Sequence, residues 1–209
     1  DVDAAVLRLR PRHVHVASYF LQPGLAADLP ALLTRVRASG ASVSLDTNWD
    51  PAERWSGLAE VLPLVDVLLP NADEVIAIAG ALPGVDAGAD SGSDPIAAAA
   101  TRIAELGPTV VVKAGKAGGR SFGPDGGASA ALGLELDVVD TTGAGDSFDA
   151  GYLAALIAGV TDATERLRWA AVAGSLSTRA AGGTTAQATR AELEAHLEEL
   201  RAQARIVGA

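Results

Sequence analysis

The sequence predicts an α/β fold in which a mainly parallel sheet carries helices on both faces. Short β-prone runs alternate along the chain with longer segments whose apolar residues recur at helical spacing. Hydrophobic residues make up 49% of the 209 residues, enough for a sizeable core. Polar or glycine residues follow several predicted strands, and ligands bind at such strand ends in parallel sheets. The pattern therefore predicts a folded protein with a ligand site at one sheet edge.

The elements follow one another in a regular order. β-Prone runs predict strands at residues 12–17, 42–46, 65–69, 109–113 and 136–139. Apolar spacings of three and four predict helices at residues 25–39, 53–62, 71–79, 94–106, 144–158, 164–179 and 190–206. Turn residues at 124–127 predict a short antiparallel extension of the sheet near residues 121–131. Residues 81–94, rich in Gly, Asp, Ser and Pro, predict a mobile surface loop.

Charge and composition limit the classes of function. The 26 acidic residues against 16 basic ones argue against a general affinity for nucleic acid or for an anionic membrane. The sequence contains no cysteine, which excludes disulfides, thiolate metal sites and cysteine nucleophiles and fits a cytoplasmic protein. It contains no apolar run long enough to span a bilayer. A phosphorylated ligand remains compatible, because the amides at a helix start bind anions without net positive charge.

The segment from Asp140 to Phe148, with the sequence DTTGAGDSF, carries the most specific signal. Its glycines allow the backbone to approach a ligand, and the first amides of the following helix face outward at the positive end of the helix dipole. Asp146 would be repelled by bound phosphates unless it accepts a proton from an attacking hydroxyl. In an isolated Gly-x-Gly-Asp the acid would merely favour a helix start. The complete run instead indicates phosphoryl transfer.

This run resembles the C-terminal signature of the ribokinase and phosphofructokinase-B family of carbohydrate kinases, Asp-Thr-x-Gly-Ala-Gly-Asp-x-Phe, at every fixed position. Three other segments are similar to family features: the strand end at residues 46–49, the Asn-x-x-Glu motif at residues 71–74, and the Lys-x-Gly-x-x-Gly turn at residues 113–118. The resemblance implies that residues 1–209 form one ribokinase-like α/β domain. Its N-terminal part, including the lid over the sugar, would be missing.

The resemblance also implies ATP, Mg²⁺ and a monovalent cation such as K⁺ as cofactors, with a role for each matching residue. Asp146 would be the catalytic base. The amides of the anion hole would come from Gly143, Ala144 and Gly145. The nucleotide would contact Lys113, Gly115, Gly118, Ala181, Gly182 and Gly183, the last three leaving room for adenine. Metal ions would involve Asn71 and Glu74 for magnesium, and Asp140 and Thr142 for the monovalent cation.

Some of these residues also have a purely structural interpretation. Asn71 and Glu74 fit a helix capping box, and Lys113 fits a strand end whose ammonium lies in solvent. The function expected is ATP-dependent phosphorylation of a hydroxyl on a sugar or sugar-like small molecule. The alternatives are a nucleoside or vitamin-type kinase of the same superfamily and a non-catalytic nucleotide-binding remnant. The expected partners are a sugar substrate and, in the complete protein, a second copy in a homodimer, with neither nucleic acid nor membrane.

Overall fold

The computed structural model of the chain describes residues 2–83 and 94–207. Most of the loop predicted at residues 81–94 therefore lies outside the described residues. The chain divides into two compact units. The first unit comprises residues 1–112 and 121–128, and the second comprises residues 113–120 and 129–209. The single domain expected over the full length stays a prediction, and each unit is described by itself below.

Six strands form one sheet in the order of the chain, as predicted for a mainly parallel fold. They are β1 (His13–Ala17), β2 (Ser42–Asp46), β3 (Val67–Leu68), β4 (Thr109–Lys113), β5 (Gly119–Phe122) and β6 (Ala128–Ala131). Strands β1 to β4 pair in parallel. The connections at residues 114–118 and 123–127 are too short for the crossover that parallel pairing needs, so β5 and β6 add an antiparallel extension. This extension was predicted.

Eight α-helices lie among the described residues. They are α1 (Val2–Leu9), α2 (Pro23–Ala38), α3 (Leu58–Val61), α4 (Ala72–Ala81), α5 (Pro95–Ala104), α6 (Ala144–Ile157), α7 (Ala163–Ser177) and α8 (Arg190–Val207). Side-chain caps explain where α4, α5 and α7 begin, because Asn71, Asp94 and Asp162 each accept a backbone N–H of the first turn. Helix α1 was not predicted. No helix in residues 2–83 or 94–207 is long and apolar enough to cross a membrane.

The core of the first unit lies between the parallel strands and the helices that follow them. Helix α2 buries a stripe at the spacing that the sequence predicted, with Leu29, Leu33 and Val36 all fully buried. Strand β2 buries Val43 and Leu45 in the same cluster. Complete burial of such side chains contributes roughly 1.5–3 kcal/mol each. This packing fixes the positions of the strand ends that carry candidate site residues.

The second unit is built on the close packing of α6 against α7. At Gly151 an added Cβ would lie 2.6 Å from the carbonyl oxygen of Trp169 and 2.9 Å from the Cα of Ala170, so a larger residue would push the helices apart. Helix α8 packs on α7 by burying Leu193 and Leu197 in the same cluster as α7 residues. The start of α6 is therefore held by a rigid helix pair.

The strand predicted at residues 136–139 is wrong, because this segment has no regular secondary structure. The amides of Val139 and Asp140 donate to the carbonyl oxygen of Thr178, at 2.9 and 3.2 Å, instead of pairing with a neighbouring strand. The side chains of Leu136 and Val138 instead line a cavity, as described below.

The helix predicted at residues 53–62 begins later, because α3 starts only at Leu58. The buried carboxylate of Asp50 accepts the amides of Ala52, Arg54 and Trp55 at 2.8–2.9 Å. These bonds hold the intervening residues in a loop, since a side chain that bonds nearby amides competes with the helical ladder. The apolar spacing alone did not reveal this competition.

Candidate functional site

Helix α6 starts at a glycine in the left-handed conformation. Gly143 is the N-cap residue with φ of 72°. A Cβ added there would lie 2.8 Å from both the Cα and the carbonyl oxygen of Gly183. The backbone of residue 183 is thus pressed against the start of the helix. Glycine is required at position 143 both by its dihedral angle and by this contact.

Two amides at the start of α6 are free to bind a ligand. Among the described residues no group accepts a hydrogen bond from the N–H of Gly145 or Asp146, whereas Ser147 N–H donates to the Gly143 carbonyl at 2.9 Å and begins the helical ladder. The N–H of Ala144 donates to the Thr141 carbonyl at 3.1 Å. Of the three amides predicted for an anion hole, that of Ala144 is therefore already engaged.

Asp146 lies in the first turn of α6 and is exposed. Its carboxylate makes no hydrogen bond or ion pair within residues 2–83 and 94–207. An exposed carboxylate with no partner at a helix N-terminus is compatible with a proton acceptor that awaits its substrate. The same position suits an acid that only stabilises the helix start through the helix dipole.

Asp140 ties the turn before α6 to the segment that follows α7. One carboxylate oxygen accepts the amide and the hydroxyl of Thr142, at 2.9 and 2.8 Å, and the other accepts the amide of Gly182 at 2.8 Å. The Gly182 amide is the largest of the effects that lower the pKa of Asp140, followed by the two bonds from Thr142. The carboxylate is therefore ionised at neutral pH. Among the predicted cation ligands, Asp140 and Thr142 are in direct contact.

Lys113 forms a buried ion pair beside the same helix start. Its Nζ lies 3.2 Å from Oδ2 of Asp149, and the two side chains are only 13% and 4% exposed. The lysine chain runs past the backbone of Gly145, where an added Cβ would lie 3.7–4.0 Å from Cδ, Cε and Nζ. The alternative of a strand-end lysine extended into solvent is therefore wrong. The ammonium therefore lies close to the backbone of Gly145.

A cavity of about 210 Å³ opens beside this cluster. Its edge includes five of the predicted site residues, namely Lys113, Gly115, Gly118, Ala144 and Gly145. Its walls are mainly apolar and include Leu134, Leu136, Val138 and Phe148. The hydroxyl of Ser175, which also lines it, already accepts the Leu134 amide at 3.0 Å. The cavity therefore combines apolar walls with the ammonium of Lys113 and the backbone at the start of α6.

Ala181, Gly182 and Gly183 do not line this cavity. The structure places them elsewhere: Gly182 donates to Asp140, and Gly183 packs on Gly143. Gly182 and Gly183 therefore support the start of α6. The adenine site implied for residues 181–183 stays a prediction.

In the first unit, Asn71 and Glu74 form a complete capping box at the start of α4. The side-chain oxygen of Asn71 accepts the amides of Asp73 and Glu74, both at 2.9 Å, and Oε2 of Glu74 accepts the Asn71 amide at 2.8 Å. Glu74 is 4% exposed. The structural interpretation of this motif is confirmed. The magnesium role is a separate property and stays a prediction.

Two parts of the site were missed by sequence reasoning. Asp149 was not singled out, although a charged residue among the apolar residues of α6 is an unusual position that needs a partner. The second part is the apolar wall formed by Leu134, Leu136 and Val138, because residues 136–139 were predicted to be a strand. Alternating apolar residues do not separate the two cases, since an extended segment that lays alternate side chains against a cavity has the same period of two.

Comparison with known proteins identifies what this arrangement resembles. The sequence profile described as pfkB family carbohydrate kinase matches residues 10–190. A fructokinase of Klebsiella pneumoniae is 33% identical over 199 residues, covering 88% of this chain and 60% of that protein. The solved ribokinase of Arabidopsis thaliana complexed with ribose and ATP is 25% identical and superposes with a TM-score of 0.75, covering 94% of this chain and 59% of that one.

A third relative has been solved in more than one ligand state. The fructokinase of Vibrio cholerae O395 in its fructose, ADP and calcium ion bound form is 26% identical, with a TM-score of 0.70, covering 88% of this chain and 60% of that one. A double mutant of that fructokinase has been solved with fructose, ADP and a potassium ion. The present chain thus spans about 60% of the length of the relatives it matches.

Proposed function

The chain belongs to the pfkB family of carbohydrate kinases, and we propose that it transfers a phosphoryl group from ATP to a hydroxyl of a sugar or sugar-like molecule. The observation that carries the proposal is the arrangement at the start of α6. Lys113 and Gly145, whose amide is free, line an apolar cavity. The carboxylate of Asp146, which has no partner among the described residues, stands in the same helical turn as Gly145. Phosphoryl transfer needs positive groups for the phosphates, a slot for the base and an acceptor for the hydroxyl proton.

The amides of Gly143, Gly145 and Asp146 would stabilise the negative charge that develops on the transferred phosphoryl group. The Ala144 amide would join them only by giving up its bond to Thr141, so we assign it a lesser part. The apolar walls beside Gly115 and Gly118 would hold the nucleobase, and Lys113 would meet the phosphates. This division follows the chemistry of the groups: neutral walls favour an aromatic ring, and cations and amides favour phosphate oxygens.

Asp146 would act as the general base. It stands in the turn that presents the free amides, so a hydroxyl attacking a phosphorus bound there would lie close to its carboxylate. The amides would stabilise the negative charge on phosphorus while the carboxylate takes the proton from the hydroxyl. The backbone amides and the carboxylate of one helical turn would thus have two different roles in the same step, one stabilising negative charge and the other accepting a proton.

The residues present fit the expected metal ions. Magnesium is commonly held by one or two carboxylates, several waters and substrate phosphates, and the described residues contain no group of three acidic or histidine ligands. Asn71 and Glu74 would therefore organise magnesium through its waters. Asp140 and Thr142 would serve a monovalent cation through their carbonyl oxygens, because the Asp140 carboxylate is already occupied by three donors. The bound metal would neutralise phosphate charge.

The test is an assay of ADP release from MgATP in the presence of fructose, ribose or a nucleoside, with a reaction lacking any acceptor as the control. We expect release above the control with at least one of these acceptors. Fructose or ribose as the preferred acceptor supports the sugar kinase. Preference for the nucleoside would favour the alternative within the superfamily, and ADP binding without any turnover would favour a non-catalytic module.

A further inference from the structure

Asp149 occupies a position that the proposed chemistry does not yet use. It lies one helical turn after Gly145 on α6, so the two residues share a face of the helix. Its side chain is buried, and Asp149 is not among the residues that line the cavity, whereas Lys113 is. Asp149 therefore contacts the site through Lys113, whose Nζ lies 3.2 Å from Oδ2 of Asp149.

The location of this ammonium is unfavourable without a partner. The start of a helix carries partial positive charge, which repels a cation, and a buried ammonium that lacks a counter-ion costs several kcal/mol. Asp149 supplies negative charge on the same helix face and offsets both effects. In the absence of Asp149 we expect the flexible lysine chain to turn toward solvent, because the helix dipole repels its ammonium and burial disfavours an uncompensated charge.

We infer that Asp149 is a positioning residue, which holds the Lys113 ammonium beside the first turn of α6 so that it meets the phosphate oxygens of a bound nucleotide. The inference rests on the proposed function, since it takes the ligand at this turn to be a nucleoside polyphosphate. Replacing Asp149 should therefore weaken the binding of the phosphates and leave the binding of the base unchanged. The apolar walls that would hold the base do not depend on it.

The experiment compares ADP, which carries the phosphates, with adenosine, which carries none. Calorimetry would measure both ligands, with magnesium, on the wild-type chain and on Asp149→Ala, Lys113→Met and the double variant. We expect each single variant to bind ADP on the order of 10-fold more weakly, with the affinity for adenosine unchanged. The double variant should lose no more than either single variant, because Asp149 acts through Lys113. Glu194→Gln, which removes the charge of an exposed ion pair of the second unit, should change neither affinity.

The outcomes separate this inference from the proposed function. A wild-type chain that binds neither ligand contradicts the proposed function itself. A wild-type chain that binds ADP, with single variants whose ADP-to-adenosine ratio is unchanged, overturns the role of Asp149, as does an additive double variant. If Asp149→Ala fails to fold, Lys113→Met/Asp149→Leu replaces the pair with apolar groups, a change that cores often tolerate. This double variant must then show the same ratio of ADP affinity to adenosine affinity as Lys113→Met.

Discussion

Gly143 combines two constraints that can be measured separately. Its φ of 72° disfavours any side chain, and the backbone of Gly183 leaves no space for one. We expect Gly143→Ala to reduce the free energy of unfolding by more than the roughly 1–3 kcal/mol of an unfavourable dihedral angle. It should also weaken ADP binding, since the free amides would move. Chemical denaturation and calorimetry on the same variant measure both effects.

The matched control is Gly159→Ala, at the other end of α6. Gly159 has φ of 82° but nothing within 4 Å of an added Cβ, so this variant carries the dihedral cost without the clash. Equal losses of stability in the two variants would contradict the contact between residues 143 and 183. An unchanged ADP affinity in Gly143→Ala would place the phosphate site away from this turn.

Ser147 follows Asp146 but has no role in the proposed chemistry. Its hydroxyl is buried and has no hydrogen-bond partner among the described residues. A buried unsatisfied polar group costs about 1–3 kcal/mol, so Ser147→Ala should raise the free energy of unfolding by about 1 kcal/mol. Thermal melting would measure this as a higher Tm, with the rate of ADP release unaffected. A lower Tm would contradict this prediction, because it would show that the hydroxyl stabilises the fold.

Helix α4 offers a test of whether a capping motif has a second role. Asn71→Ala removes the N-cap and should cost about 1 kcal/mol of stability. Asp162→Ala removes the cap of α7, whose oxygen accepts the Glu165 amide at 2.7 Å, and should cost a similar amount. If Asn71 organises magnesium, only Asn71→Ala will also raise the magnesium concentration needed for half-maximal ADP release. Equal magnesium requirements would leave Asn71 as a cap alone.

The elements that sequence predicted well are those whose signal is local. Helices α2, α5 and α7 have regular apolar stripes and defined ends, with a proline or a capping acid at the start, and the structure confirms them. The failures depend on distant or competing bonds. The amides of Val139 and Asp140 donate to the carbonyl oxygen of Thr178, and Asp50 accepts amides that a helix would have used. No periodicity within a short window carries that information.

For the molecule as a whole, the alternation of strands and helices was sufficient to predict the fold class. The division into two units was not predictable, because the chain passes between them at three points within 17 residues, near residues 112, 120 and 128. Such a boundary has no linker and no change in composition. The pairing of Lys113 with Asp149 was hidden for a related reason, since 36 residues separate the partners in sequence.

The proposal that Asp146 is the general base is tested most directly by Asp146→Asn. The variant keeps the shape of the side chain and removes a negative charge near the phosphates, so the affinity for MgATP should stay the same or rise slightly. It cannot accept the hydroxyl proton, and kcat should fall by about 10²–10⁴-fold. We therefore propose to measure kcat, the Kd of MgATP and the Tm on one preparation. If Asp146 is the general base, kcat will fall by this factor with an unchanged Kd and Tm, whereas a lower Tm with an unchanged kcat would contradict that role.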